Sequence, residues 1–137
     1  MALSEIMASI RAKEAYCLDL SGHIGTAAVE APSLVSFHIT IHGKAAHAGF
    51  EPEKGVNALL AAARAIARLP LGRPNDHSTL NIGLLASGTG TNVVPERALC
   101  QGEIRSLVHE DALALYEETL RVFQEEAAKL GAEAAAK

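Results

Sequence analysis

Residues Leu34 to His42 alternate without a break. Val35, Phe37, Ile39 and Ile41 fall on one side, and Ser36, His38, Thr40 and His42 on the other. A period of two over this length specifies a strand with one buried and one wetter face. Such a strand needs partners and a layer to cover its apolar side, and the rest of the chain supplies candidates for both.

Gly43 to Glu53 is rich in Gly and Pro and reads as a loop. Gly55 to Leu69 reads as a helix, with Val56, Leu59, Leu60, Ala63, Ile66 and Ala67 on one stripe, and Pro70 ends it. Leu71 to Asp76 is a connector. His77 to Leu85 is a second strand, with Leu80, Ile82 and Leu84 on one face, followed by a loop over Ala86 to Val93. Arg97 to Leu107 is a third strand, Cys100 and Ile104 inward and Gln101, Glu103 and Arg105 outward. From Asp111 to Leu130, Leu113, Tyr116, Leu120, Phe123, Ala127 and Leu130 recur at steps of three and four. They form a helical seam, and Gly131 follows as a stop.

Upstream, Ala15 to Leu20 and Ile24 to Glu30 are short apolar runs separated by Ser21-Gly22, a hairpin signal that Pro32 ends. Residues 1–13 are weakly patterned and read as a tail, leaving 14–137 as one domain. The order of elements predicts an α+β fold: a ferredoxin-like split βαβ sandwich, two helices on one face of an antiparallel sheet, with an extra N-terminal hairpin. That arrangement wants one more strand after the second helix. Either the tail from Ala132 to Lys137 fills the place, or the chain is a fragment cut before it.

Composition narrows the function. Of 137 residues 49% are hydrophobic, enough for a core, but only 4% are aromatic and Trp is absent, so the core is aliphatic and alanine-rich. The formal charge of -4 is well mixed and argues against a nucleic-acid partner. No apolar run is long enough to span a membrane and no secretory signal is visible, which predicts a cytoplasmic protein. Cys17 and Cys100 have no metal spacing and read as buried free thiols.

Six histidines raise the question of a metal. His38 and His42 are four apart, but on a strand four residues span about 13 Å, too far for two ligands of one ion. No metal site is expected. His77 and His109 read as solvated or capping residues, and His23 sits at a turn. No Ser-His-Asp or Cys-His arrangement is legible, and the Gly88-x-Gly90 segment leads to Pro95 rather than to a helix, which argues against a phosphate cradle.

His47 differs from the other histidines. It lies just past the strand end between Ala45-Ala46 and Ala48-Gly49, small neighbours that would leave its imidazole clear of its own loop. An imidazole so placed could reach a ligand across a gap, or be an ordinary loop residue. Asn92, after Gly88-Thr89-Gly90-Thr91, could donate to a carbonyl or close a turn. Arg105 offers a fork for a carboxylate, or a partner for a neighbouring acid.

Gly43-Lys44-Ala45-Ala46-His47-Ala48-Gly49, then Pro52-Glu53-Lys54-Gly55-Val56-Asn57-Ala58, resembles the start of the dimerisation, or lid, domain of the zinc exopeptidase family. That family includes carboxypeptidase, aminoacylase, desuccinylase and peptidase T-like enzymes. The resemblance continues through Leu71-Gly72-Arg73, Asn81-Ile82-Gly83, Thr91-Asn92-Val93-Val94-Pro95 and Gly102-Glu103-Ile104-Arg105-Ser106, covering about residues 14–131. Ala15-Tyr16-Cys17-Leu18-Asp19 and Ala31-Pro32-Ser33 look most like the peptidase T-like branch. Asp19-Leu20-Ser21-Gly22 departs from that branch's Asp-Gly-Gly form, and Ala86-Ser87-Gly88-Thr89-Gly90 varies the family's glycine-rich segment.

The resemblance implies a parent hydrolase with two zinc ions in a separate catalytic domain, none of whose ligands lie in the lid. It implies that His47 stabilises the oxyanion, often in the partner subunit's site, and that Asn92 and Arg105 bind substrate, a small peptide or an N-acyl amino acid. The implied partners are a second copy of the chain and the catalytic domain, and the chain alone would be inactive. The other reading left open is a stand-alone ferredoxin-like module that binds a ligand or a protein.

Overall fold

The structure, a computed structural model, describes residues 11–12, 14 and 21–136. Contacts divide the chain into residues 1–30 and a compact unit, Ala31–Lys137. In the first, a turn closes where the Thr26 N–H donates to the His23 carbonyl, and Ile24 and Val29 are exposed. The expected hairpin is corrected here: Ile24 to Glu30 carries no strand, and Ala15 to Leu20 lies outside the described residues. A lone two-stranded hairpin is marginal in water without a sheet to join.

The compact unit contains strands β1 (Ser33–His42), β2 (Gly72–Asn75), β3 (Ser78–Ser87), β4 (Arg97–Ser106) and β5 (Glu133–Ala136), and helices α1 (Ala58–Arg68) and α2 (His109–Lys129). The sheet order is β2-β3-β4-β1-β5, every pairing antiparallel. Strands β3, β4, β1 and β5 with the two helices make the ferredoxin-like α+β fold. The tail supplies its final strand, pairing Glu133–Ala136 with Ile39–His42. The connector after Pro70 forms the extra edge strand β2.

Both helices cover the face of the sheet that carries Phe37, Ile39, Ile41, Leu80, Ala98, Cys100 and Ile104, all buried. The alternation of β1 and β4 is as the pattern predicts. In β3 it breaks. The register slips between Ile82 and Leu84, leaving Gly83 unpaired, so Leu84 lies opposite Gln101 on the outer face and is 62% exposed. One extra residue reverses every side chain beyond it.

Helix α1 also turns differently from the expected stripe. Ala58, Ala61, Ala62 and Ala65 are buried, whereas Leu59 and Leu60 are exposed. Alanine lets the helix approach the sheet and α2 closely, and the leucines face out. Asn57 caps the helix, its Oδ1 accepting from the Leu60 N–H at 2.9 Å. On α2 the seam holds at Phe123 and Ala127, but Leu113 is exposed and Ala112, Thr119 and Val122 take buried places.

The helices are joined by charge. Arg68 donates to Glu126 at 2.5 Å and to Glu125 at 3.0 Å, and Lys129 donates to Glu126 at 2.6 Å. Glu126 is buried on α2, as are Val122, Phe123 and Ala127. Its bonds to Lys129 and Arg68 hold its carboxyl below the usual carboxylate range. Sequence patterning gives no sign of this residue.

Candidate functional site at the β1 end loop

Past His42 the chain does not wander. The Gly43 N–H donates to the Glu96 carbonyl at 2.8 Å, and Lys44 and Val56 exchange backbone bonds at 2.9 and 2.8 Å. Gly43 is required there, since a Cβ would fall 2.1 Å from the Val56 carbonyl oxygen. The Val94 N–H donates to Ala46 and the Ala48 N–H to Asn92, both at 2.9 Å, and His47 bridges Val93. The loop carrying His47 is therefore stitched to the segment carrying Asn92. The structure brings these two positions together on a rigid backbone, and both side chains are exposed.

The imidazole does not stand clear of its loop as its small neighbours suggest. The Gly49 N–H donates to His47 Nδ1 at 3.1 Å, and the Phe50 ring lies on it with centroids 4.4 Å apart. Because an amide N–H can only donate, Nδ1 accepts, and the proton of the neutral ring is on Nε2. Phe50 escapes sequence patterning: an isolated phenylalanine in a polar loop carries no periodic signal.

Arg105 is elsewhere. It lies on the outer face near the far end of β4, opposite Leu34 and Thr79, eight residues beyond Arg97 and about 27 Å along the strand. Its Nε donates to Glu103 at 2.9 Å, and that bond raises the guanidinium further above its ordinary range. The contact through Nε leaves the two terminal nitrogens of the fork without a hydrogen-bond partner among the described residues. Asn92's side-chain amide likewise makes no hydrogen bond among the described residues.

A shallow cleft of about 360 Å³ adjoins the stitched loops, lined by Ser87, Thr89, Val93, Val94, Arg97 and Leu99 among others. His38 and His42 are exposed on the outer face, and His109 contacts Ser33 Oγ at 3.1 Å. Cys100 is buried, which pushes its thiol up to about 11 and leaves it unreactive at neutral pH. Cys17 lies outside the described residues. Among the described residues no three His, Cys, Asp or Glu side chains are grouped to hold a metal ion. None of the described helices is long and apolar enough to cross a membrane.

Known proteins resemble this chain in sequence and fold. YqjE of Bacillus subtilis strain 168 is 42% identical over 125 residues, 91% of this chain and 34% of that protein. The crystal structure of aminopeptidase PepT from Bacillus cereus matches with a TM-score of 0.76 and 40% identity, over 78% of this chain and 29% of that one. A dinuclear metal-binding M20 peptidase of Bacillus subtilis, YXEP, matches with a TM-score of 0.61 and 28% identity, over 79% of this chain and 26% of that one. The chain thus spans about a third or less of the length of these relatives. Residues 29–131 match the profile of the peptidase dimerisation domain, and the chain belongs to that domain family of the M20 peptidases.

Proposed function

We propose that this chain is the dimerisation and lid domain of a zinc-dependent, peptidase T-like exopeptidase or amidohydrolase that cleaves small peptides or N-acyl amino acids in the cytoplasm. The observation that carries the reading is His47. It is exposed, backbone-anchored, and presents a single ring N–H, and among the described residues it belongs to no cluster that could hold a metal ion. Such a group is a donor awaiting an acceptor. The chain's small share of its relatives' length supports a separate catalytic domain, and by itself the chain is inactive.

The zinc ions of this reading belong to that catalytic domain, since the described residues include no donor set that fits them. Metal ions of this kind polarise a scissile carbonyl and activate water. His47's part is to donate from Nε2 to the oxygen that gains charge as the carbonyl becomes tetrahedral. A preorganised donor there contributes roughly 10²–10³-fold in rate. Arg105 receives a substrate carboxylate on its free terminal nitrogens, and Asn92 donates to the substrate beside His47. Carried on a lid, these groups meet the substrate only on closure.

Dimerisation has a surface. Strand β3 pairs with β4 along its length apart from Gly83, but with β2 only at Ser78 and Leu80, so on the β2 side Asn81 to Ser87 form an edge without a partner among the described residues. Helix α1 packs across β4, β1 and β3, and its Leu59 and Leu60 are exposed. Pairing two β3 edges about a two-fold axis extends the sheet and buries those leucines.

The test is His47→Ala in the enzyme that contains this chain. Turnover falls by about two orders of magnitude or more, with metal content unchanged. Unchanged turnover overturns the reading.

A further inference from the structure

Phe50 is 85% exposed. A phenylalanine so exposed adds little to the core, and the one aromatic ring it meets among the described residues is that of His47. The backbone explains how. The His47 carbonyl accepts from both the Phe50 N–H at 3.3 Å and the Glu51 N–H at 3.1 Å, which closes a tight turn. That turn folds residues 49 and 50 back over the side chain of residue 47.

The imidazole is thereby held on two sides. The Gly49 N–H occupies its Nδ1 edge, and the Phe50 ring covers a face, inclined at 36°. The Nε2–H edge has no hydrogen-bond partner among the described residues. The turn is itself fixed by the bonds to residues 92–94, so the constraint on the ring runs back to the sheet.

We infer that Phe50 is a positioning residue: with the Gly49 N–H it clamps His47 in one tautomer and one orientation, so that Nε2–H is preset as a hydrogen-bond donor. This rests on the reading of His47 as the oxyanion donor. A free histidine on a loop rotates about two side-chain bonds and exchanges tautomers. Each unproductive state subtracts from the population able to donate when the substrate oxygen gains charge. Phe50 touches no reacting atom and acts through His47 alone. An aromatic pair of this kind holds its geometry by roughly three- to tenfold in population.

Two measurements separate the clamp from the donor role. On this chain, labelled with ¹⁵N, a scalar coupling across the hydrogen bond links the Gly49 amide nitrogen to His47 Nδ1 in alkaline buffer. It weakens in Phe50→Ala and persists in Phe50→Tyr. In the parent enzyme, Phe50→Ala lowers kcat by roughly three- to tenfold with KM unchanged, and Phe50→Tyr restores it. A protonated Nδ1 in the unaltered chain, or a coupling indifferent to Phe50→Ala, overturns the clamp while leaving the donor role of His47 standing. Loss of kcat in Phe50→Ala that Phe50→Tyr does not restore also overturns it. If the coupling behaves as expected but His47→Ala retains full turnover, the donor reading itself fails.

Discussion

His47 and Arg105 stand at opposite ends of strand β4. The loop carrying His47 is bonded to residues 92–96, just before the strand begins, and Arg105 lies eight residues beyond Arg97, about 27 Å further on. A dipeptide is far shorter than that. If both residues serve one substrate, as proposed, they come from different protomers, and each site of the dimer is assembled from the two ends of two sheets.

Gly102 sits within the Gly-Glu-Ile-Arg-Ser segment, but its role is packing. A Cβ there would fall 2.4 Å from the Asn81 carbonyl oxygen and 2.5 Å from the buried Phe37 ring. Neither neighbour can yield cheaply, one being a paired strand backbone and the other one of the two fully buried phenylalanines of the core. Gly102→Ala therefore destabilises the domain by roughly 1–3 kcal/mol, and Phe37→Ala by roughly 3–5 kcal/mol. Denaturant titration followed by circular dichroism measures both.

The ion pairs between α1 and α2 give the domain an acid limit. Bonds to Lys129 and Arg68 lower the carboxyl of Glu126, and bonding to Arg68 lowers that of Glu125. A depressed folded value means the unfolded chain binds protons first as pH falls. The contribution is thus complete above the ordinary glutamate range, about pH 4.3, and is lost on acidification through the lower folded values. Arg68→Met lowers the melting midpoint at pH 7, and the gap from the unaltered chain narrows steadily below about pH 4. A gap that stays constant into acid contradicts the assignment.

The free edge of β3 and the exposed leucines of α1 predict self-association of this chain. Light scattering at high concentration gives a dimer mass, and the double substitution Leu59→Glu/Leu60→Glu gives a monomer with unchanged secondary structure. A monomer mass for the unaltered chain contradicts the surface.

Periodicity made β1, β4 and α2 legible, because each buries one side and the buried residues fall at the element's own spacing. It misplaced Leu84, since a one-residue slip at Gly83 leaves no composition signal. It misplaced the buried side of α1 because alanine and leucine compete for the same label. Close approach favours Ala61, Ala62 and Ala65, while Leu59 and Leu60 sit on the surface where a second copy is proposed to cover them. The candidate site is legible in the sequence as separate motifs rather than as geometry. The stitching of His47 to Val93, and the separation of both from Arg105, arise from sheet register over distant residues. Phe50 and Glu126 each act through one specific neighbour, which local patterning does not encode.

The split site can be tested directly by mixing subunits. His47→Ala and Arg105→Ala versions of the parent enzyme, each nearly inactive, are dissociated together and allowed to re-form dimers. If His47 of one protomer serves the site holding its partner's Arg105, every mixed dimer has one intact site, and activity returns to about a quarter of that of the unaltered enzyme. A mixture that stays as inactive as its components contradicts the account.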